Sequence, residues 1–404
     1  MIKNFGVKNF ASIGEGIEVS FEFDGNTPEN VSNGQNIGTV LGIKGANGSG
    51  KTNILKAISF LFSFVSKRIA PLDEDGELKG DVNLPLDSFF HNTDPSEFYL
   101  EFVCDETKYH YEVTLKSDGI LTESLIRNVG GKTEFLVFHR ENEEILECED
   151  GLQELKTIKL RADQSIISLP NDYKFHTSTF ELELINEYFK KFIFNVGQGG
   201  MRYDGYNGPT ERVRSQFYFE NKDAFNFVKK IIKSCDDGID DIQIKRQKGE
   251  NGGFVYFPEY IHKYKGKEHK LAQHDEAMGT KVLFSSLYKY WLTLTHGGLL
   301  IVDEFDIHLH SMILPEILGL FTNTKINKKS AQLIFTAHNT EIIDSLGRYR
   351  TILVNKEDNE TYCFRLDKVS VLRNDRAITP VYLKGKIGGV PKLKKANILR
   401  ALEG

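Results

Sequence analysis

At 404 residues, with 40% hydrophobic and 27% charged side chains, the chain is long enough to bury a large core and to form two or three structural units. Its 51 basic and 57 acidic side chains leave a net charge of −6, which excludes a molecule-wide polycation; any nucleic-acid contact has to be a local patch. Cys104, Cys148, Cys235 and Cys363 are far apart, with no CxxC pair, which excludes a disulfide scaffold or structural zinc site and points to a reducing compartment. No signal peptide and no run of 18 apolar residues is present, so the expected location is the cytoplasm, with no membrane partner.

The chain opens on strand patterns. Ile17, Val19, Phe21 and Phe23 alternate with polar residues, and a polar loop over residues 24–35 leads to a short apolar run at 39–43 that fits a buried central strand. The period then changes: Ile54, Leu55, Ile58, Leu61, Phe62 and Val65 mark one face of a helix reaching about Lys67. Phe98, Leu100 and Phe102, then Tyr109, Tyr111, Val113 and Leu115, predict two more strands, with a turn at Ser117-Asp118-Gly119. The acidic segment 141–154 predicts a solvated hairpin or loop. Helical spacing covers 181–194, followed by a glycine-rich irregular loop at 197–208 and a helix at 223–233. A basic loop over 245–253 and a strand at 254–257 come next. The last third reads as a helix at 280–295, a strand at 299–303, a helix near 311–321, a strand at 333–337 and further strands up to about 366.

Three segments carry chemistry. Gly45-Ala46-Asn47-Gly48-Ser49-Gly50-Lys51-Thr52 fits GxxxxGK[ST] without mismatch, between an apolar strand and an amphipathic helix. Glycines there let successive backbone N–H groups converge on a phosphate at a helix N-terminus, with Asn53 continuing the cradle. Lys51 would reach the β- and γ-phosphates of ATP, and the Thr52 hydroxyl would ligate Mg²⁺. Leu299-Leu300-Ile301-Val302-Asp303-Glu304 is the matching Walker B signal: a buried strand whose carboxyl end presents two acids. Asp303 would hold Mg²⁺ and Glu304 would polarise the attacking water. His338 ends a third apolar strand, one strand–helix unit later, where it would touch the γ-phosphate.

This order of motifs resembles the ABC-type ATPases of the SMC/RecF/OLD group, in which an "IKNF" opening precedes the phosphate loop; Ile2-Lys3-Asn4-Phe5 and Val7-Lys8-Asn9-Phe10 both fit. Within that group the chain resembles the AAA-15/AAA-21 family of stand-alone bacterial ATPases of phage defence and abortive infection, such as the RloA-like and AbiL-like proteins. Residues 303–310 resemble that family's DExxxxLH, Glu276-Ala277-Met278-Gly279-Thr280-Lys281 its ESxGTxK signature, and residues 382–391 its closing YLxGxxGxxP. The resemblance implies an α/β fold: an ABC-type head with a mixed or parallel central sheet and an antiparallel β subdomain, formed by residues 1–135 and 270–404, with 136–269 as an inserted mixed or helical subdomain. It also implies heads stacked head-to-tail as a homo-oligomer, with the signature helix and Gly279 capping the partner's γ-phosphate and His308 and His310 packing between heads. Two departures stand out. Ala277 replaces the signature serine, and no glutamine occurs between Gln35 and Gln153, which leaves His91, Asn92 or Asp94 as stand-ins for the Q-loop residue and makes slow or conditional hydrolysis plausible.

The expected function is that of a nucleotide-driven sensor controlling a separately encoded effector, for which a TOPRIM-like or RloB-like nuclease is the expected type. The 66 residues after His338 leave no room for a nuclease domain of roughly 100 residues. The alternative is a RecF/SMC-like DNA-repair ATPase. Against an SMC arm, the 303 − 51 = 252 positions between the two motifs show no sustained heptads. Docking of nucleic acid or an acidic partner falls to the basic segment Lys245, Arg246 and Lys248 or to the C-terminal run Lys384, Lys386, Lys392, Lys394, Lys395 and Arg400; Arg212 and Arg214 are candidates for contacts in trans.

Overall fold

A strand that is apolar on both faces must be covered on both sides, and four short segments of this chain are of that kind. In a computed structural model, which describes residues 1–66, 84–131, 133–197, 200–201, 210–249, 252–370, 372 and 377–391, these segments form the centre of a mixed sheet. Its order is Glu360–Arg365, Thr351–Glu357, Val40–Gly45, Gln332–Thr336, Leu299–Val302 and Ile193–Phe194. The pairings are parallel except at the Glu360–Arg365 edge. The alternation of side chains sorts the residues: Leu41, Ile43, Leu299, Ile301 and Ile334 face one core, whereas Val40, Leu300, Leu333 and Phe335 face another.

The first core is closed by the helix Lys51–Ser66, which buries Ile54, Leu55, Ile58, Leu61, Phe62 and Val65 as its periodicity predicts. Each fully buried Leu or Phe contributes about 1.5–3 kcal/mol. Beyond that helix lies an antiparallel sheet of seven strands among the described residues, ordered Ile17–Ser20, Ile2–Lys8, Ser96–Cys104, Thr107–Lys116, Gly119–Val129, Thr133–Glu141 and Glu144–Cys148. The acidic segment supplies the end of this meander and its last hairpin. Inside the sheet Glu123 and Arg140 are fully buried: Glu123 accepts from the Tyr111 and Ser165 hydroxyls, and Arg140 donates to the carbonyls of Asn142, Gln164 and Arg161. These bonds satisfy two charges that could not stay buried unpaired.

The second core is covered by the helices Met278–His296 and Ile313–Thr322, with Lys222–Cys235 packed outside the first of them. The mixed α/β head with an antiparallel subdomain is therefore the fold. The strand Thr133–Glu141 runs across residue 135, and the helix Phe180–Lys190 packs with the first core.

Several local readings change. The helix expected to reach residue 194 stops at Lys190, because Ile193–Phe194 extends as the edge strand beside Leu299–Val302. The helix Glu211–Glu220 was not expected; its apolar stripe is weak, and Tyr218 anchors it by donating to Phe284 O at 2.8 Å. The first half of the basic loop, residues 245–248, is instead the end of the strand Asp241–Lys248, paired along its length with Phe254–Tyr264 in a three-stranded sheet completed by Lys267–Ala272. Lys245 lies beside Glu259, and Arg246 stacks over Phe219 and Phe254, so two of its three cations are engaged within the chain. Arg214 is buried and donates to Ser285 O at 3.1 Å, which assigns it to packing in cis. Lys384 and Lys386 are exposed, whereas Lys392, Lys394, Lys395 and Arg400 lie outside the described residues, as does most of the segment 197–208. Among the described residues no helix is long and apolar enough to cross a membrane, and all four cysteines are free.

Candidate functional site

The carboxyl ends of Val40–Gly45, Gln332–Thr336 and Leu299–Val302 lie side by side, and the chemistry-bearing residues emerge there. At the first end, residues 45–52 turn into the helix Lys51–Ser66. Gly50 has φ +103°, and a Cβ there would lie 2.1 Å from Thr361 Oγ1, so the turn requires glycine. Thr361 donates to Ser49 O and bonds to Ser12, which accepts from Asn53 Nδ2 at 2.7 Å; Asn53 therefore braces the loop from behind.

The loop suits a phosphate. Ser49 Oγ is buried and has no hydrogen-bond partner among the described residues. Lys51 is buried and folds back to donate to Gly45 O and Ala46 O, both at 3.0 Å, two neutral acceptors that an anion would outbid. Burial lowers the Lys51 ammonium below the ordinary lysine range, against the opposing pull of Asp303, Glu304 and Asp306.

Thr52 Oγ1 donates to Asp303 Oδ2 at 2.9 Å across 251 residues of sequence. A hydroxyl and a carboxylate at that separation are the hard oxygen donors that Mg²⁺ takes, with water and phosphate oxygens filling the other positions. The hydroxyl of Thr336 donates to Asp303 Oδ1 and accepts from Glu304 N at 2.8 Å, so one side chain fixes both acids. Glu304 has φ +54°, a left-handed conformation that a glutamate rarely adopts and that only surrounding bonds can hold. Its Oε1 lies 3.9 Å from His338 Nε2.

Three positions at this site were missed. Thr336 sits inside a motif read for its histidine, where a strand threonine is unremarkable. Asn195, at the end of the edge strand, accepts from Asp303 N at 2.7 Å and donates to Asp303 O at 3.1 Å. The third is Asp306, whose carboxylate accepts from the backbone N–H groups of His338 and Asn339. Of the Q-loop stand-ins, the Asn92 side chain binds the buried Asn9 side chain, to which the backbone carbonyls of Asp94 and Pro95 also bond. The edge strand beside Leu299–Val302 delivers Asn195 to the acids. Gly279 lies in the first turn of Met278–His296, where a Cβ would lie 3.0 Å from His308 O.

A protein-family model described as "AAA domain, putative AbiEii toxin, Type IV TA system" matches residues 40–344, from the phosphate-loop strand to beyond His338. The chain belongs to this family. Of the AAA-15/AAA-21 grouping that the motifs resemble, the match is to AAA-21. Among solved structures, an Smc head bound to the C-terminal winged-helix domain of ScpA aligns at 16% identity and a TM-score of 0.44, over 92% of this chain and 99% of that one. The SMC head domain from Thermotoga maritima aligns at 13% and 0.41, over 90% and 98%. An Smc head with an extended coiled coil bound to the C-terminal domain of ScpA, derived from Pyrococcus furiosus, aligns at 13% and 0.42, over 91% and 97%. No curated protein sequence matches the chain.

Replacing Thr336 by valine keeps the shape of the strand but removes the hydroxyl shared by Asp303 and Glu304. Turnover of ATP is expected to fall by about 10–100-fold, as for loss of an outer-shell partner of a metal ligand, while equilibrium nucleotide binding changes little. Steady-state phosphate release beside calorimetric titration checks it.

Proposed function

We propose that this AAA-family chain binds and hydrolyses Mg²⁺-ATP and that nucleotide-driven pairing of two copies controls a separately encoded effector in bacterial defence against phage. The observation that carries the nucleotide reading is the bonded unit Thr52–Asp303–Thr336–Glu304, which joins the phosphate loop to two acids from a distant strand.

When bound, Mg²⁺ would supply charge neutralisation on the β- and γ-phosphates. The chain's own residues would do the rest. Backbone N–H groups of 48–52 and the Lys51 ammonium bind and orient the triphosphate. Glu304, aimed by its unusual backbone, takes the proton of a water in line with the terminal phosphate, and His338 sits within reach of the same position.

Pairing of copies is supported by exposed side chains: Met278 at the start of the signature helix is 55% exposed and Met312 is 77% exposed, with His308 and His310 exposed between them in sequence. Ala277 cannot supply a hydroxyl, so the cap offered to a partner's nucleotide is the backbone around Met278 and Gly279. The defence setting is supported by the family's description as a putative AbiEii toxin of a type IV toxin–antitoxin system; a separate effector, of the TOPRIM-like or RloB-like nuclease type, is what the resemblance to the RloA-like proteins implies.

Phosphate release measured with and without duplex DNA, beside phage plating on cells carrying this gene with and without its neighbour, tests the reading. Expected are Mg²⁺-dependent turnover indifferent to DNA and protection that requires both genes. Strong stimulation by DNA with tight duplex binding would replace it with a DNA-repair role.

A further inference from the structure

Lys44 immediately precedes the phosphate loop, on the strand Val40–Gly45, and is only 2% exposed. The nucleotide reading gives it no task. An ammonium buried this completely is costly unless its protons find acceptors. Lys44 Nζ donates to Ala337 O at 2.8 Å and to Asn339 O at 2.9 Å. These two carbonyls bracket His338.

The same turn is gripped through its other backbone groups. His338 N donates to both carboxylate oxygens of Asp306, at 3.0 and 2.9 Å, and Asn339 N donates to the second of them. A buried cation thus holds the carbonyls of the turn, and a half-buried anion holds its amides. The His338 imidazole itself is half exposed, 3.9 Å from Glu304.

We propose that Lys44 is the positioning residue for His338: with Asp306 it tethers the histidine turn to the strand that ends in the phosphate loop, so that the loop and the imidazole keep one spacing about the nucleotide. The proposal rests on the nucleotide reading given above. Burial pushes the Lys44 ammonium down to about 8, with Asp306 opposing and Lys51 adding to the shift, so the tether is charged at neutral pH at a cost in stability. Methionine would fill the site without that charge but would leave the carbonyls of Ala337 and Asn339 without their donor. A purely structural role would therefore lower the melting temperature of Lys44→Met while leaving its kcat unchanged.

The test compares wild type, Lys44→Met, His338→Ala and the double variant. In nucleotide-free protein, hydrogen exchange followed by mass spectrometry on peptides spanning 333–345 should quicken about tenfold at the His338 and Asn339 amides in Lys44→Met. With Mg²⁺-ATP, kcat should fall about tenfold while KM stays within about twofold, and adding Lys44→Met to His338→Ala should cost nothing further, because residues acting as a unit are not additive. Multiplying losses in the double variant, or unchanged exchange at 338–339, would overturn the proposal. Should Lys44→Met fail to fold, Asp306→Asn loosens the same turn from its exposed side and must show the same exchange and the same non-additivity. A wild type without any turnover would refute the nucleotide reading instead, while the exchange measurement would still decide the tether.

Discussion

Lys51→Met is expected to weaken ATP binding by about 10²–10³-fold, because a desolvated ammonium–phosphate contact contributes about 3–4 kcal/mol and each 1.4 kcal/mol is tenfold. The same substitution should not harm the fold. In the absence of nucleotide Lys51 is buried against two backbone carbonyls, with its charge disfavoured by desolvation, so methionine removes a burden and leaves the packing of the helix Lys51–Ser66 in place. The two effects are read separately. Thermal melting of the nucleotide-free variant should match or exceed that of wild type, yet added Mg²⁺-ATP should no longer raise the midpoint, since stabilisation by a ligand follows RT ln(1 + [L]/Kd). Calorimetric affinity within about threefold of wild type would remove Lys51 from the phosphate contact and the loop from its role.

The parts of this site that were legible in the sequence are those where a local pattern dictates a local shape. Residues 45–52 need glycine at Gly50 because Thr361 closes over it, and that requirement is visible as a motif. The run 299–304 is visible because a strand buried on both faces has to be continuously apolar until it meets acids at its end. What the sequence hid is long-range. Asn195 lies 108 residues from Asp303, and Thr336 lies 33 from it. Neither residue belongs to a pattern of its own. Their meaning comes only from the strand order, which sets Ile193–Phe194 and Gln332–Thr336 on either side of Leu299–Val302.

The misread elements follow a similar logic. Ile193 and Phe194 prolong the apolar spacing of Phe180–Lys190, and periodicity over two residues cannot distinguish a last helical turn from an edge strand. Lys245, Arg246 and Lys248 resemble a loop by composition. Their strand is specified by pairing with Phe254–Tyr264 and by aromatic rings that shield Arg246, both of which depend on residues further along the chain.

Glu304→Gln should separate binding from chemistry more cleanly than any other change at the site. Glutamine matches glutamate in size and keeps the backbone N–H that Thr336 accepts, so the left-handed turn at residue 304 and the position of Asp303 should survive. What disappears is an acceptor able to take a proton, and loss of a general base costs about 10²–10⁴-fold in rate. Nucleotide affinity should stay close to that of wild type, since Lys51, Thr52 and Asp303 are untouched. An ATP that binds but is not cleaved holds the protein in its loaded state, so size-exclusion chromatography of Glu304→Gln with Mg²⁺-ATP should show at least a dimer where nucleotide-free protein elutes smaller. Two results would count against the assignment in different ways. Turnover within about threefold of wild type would mean that another group activates the water, whereas blocked turnover in a persistent monomer would keep Glu304 as the base and remove the paired-head arrangement.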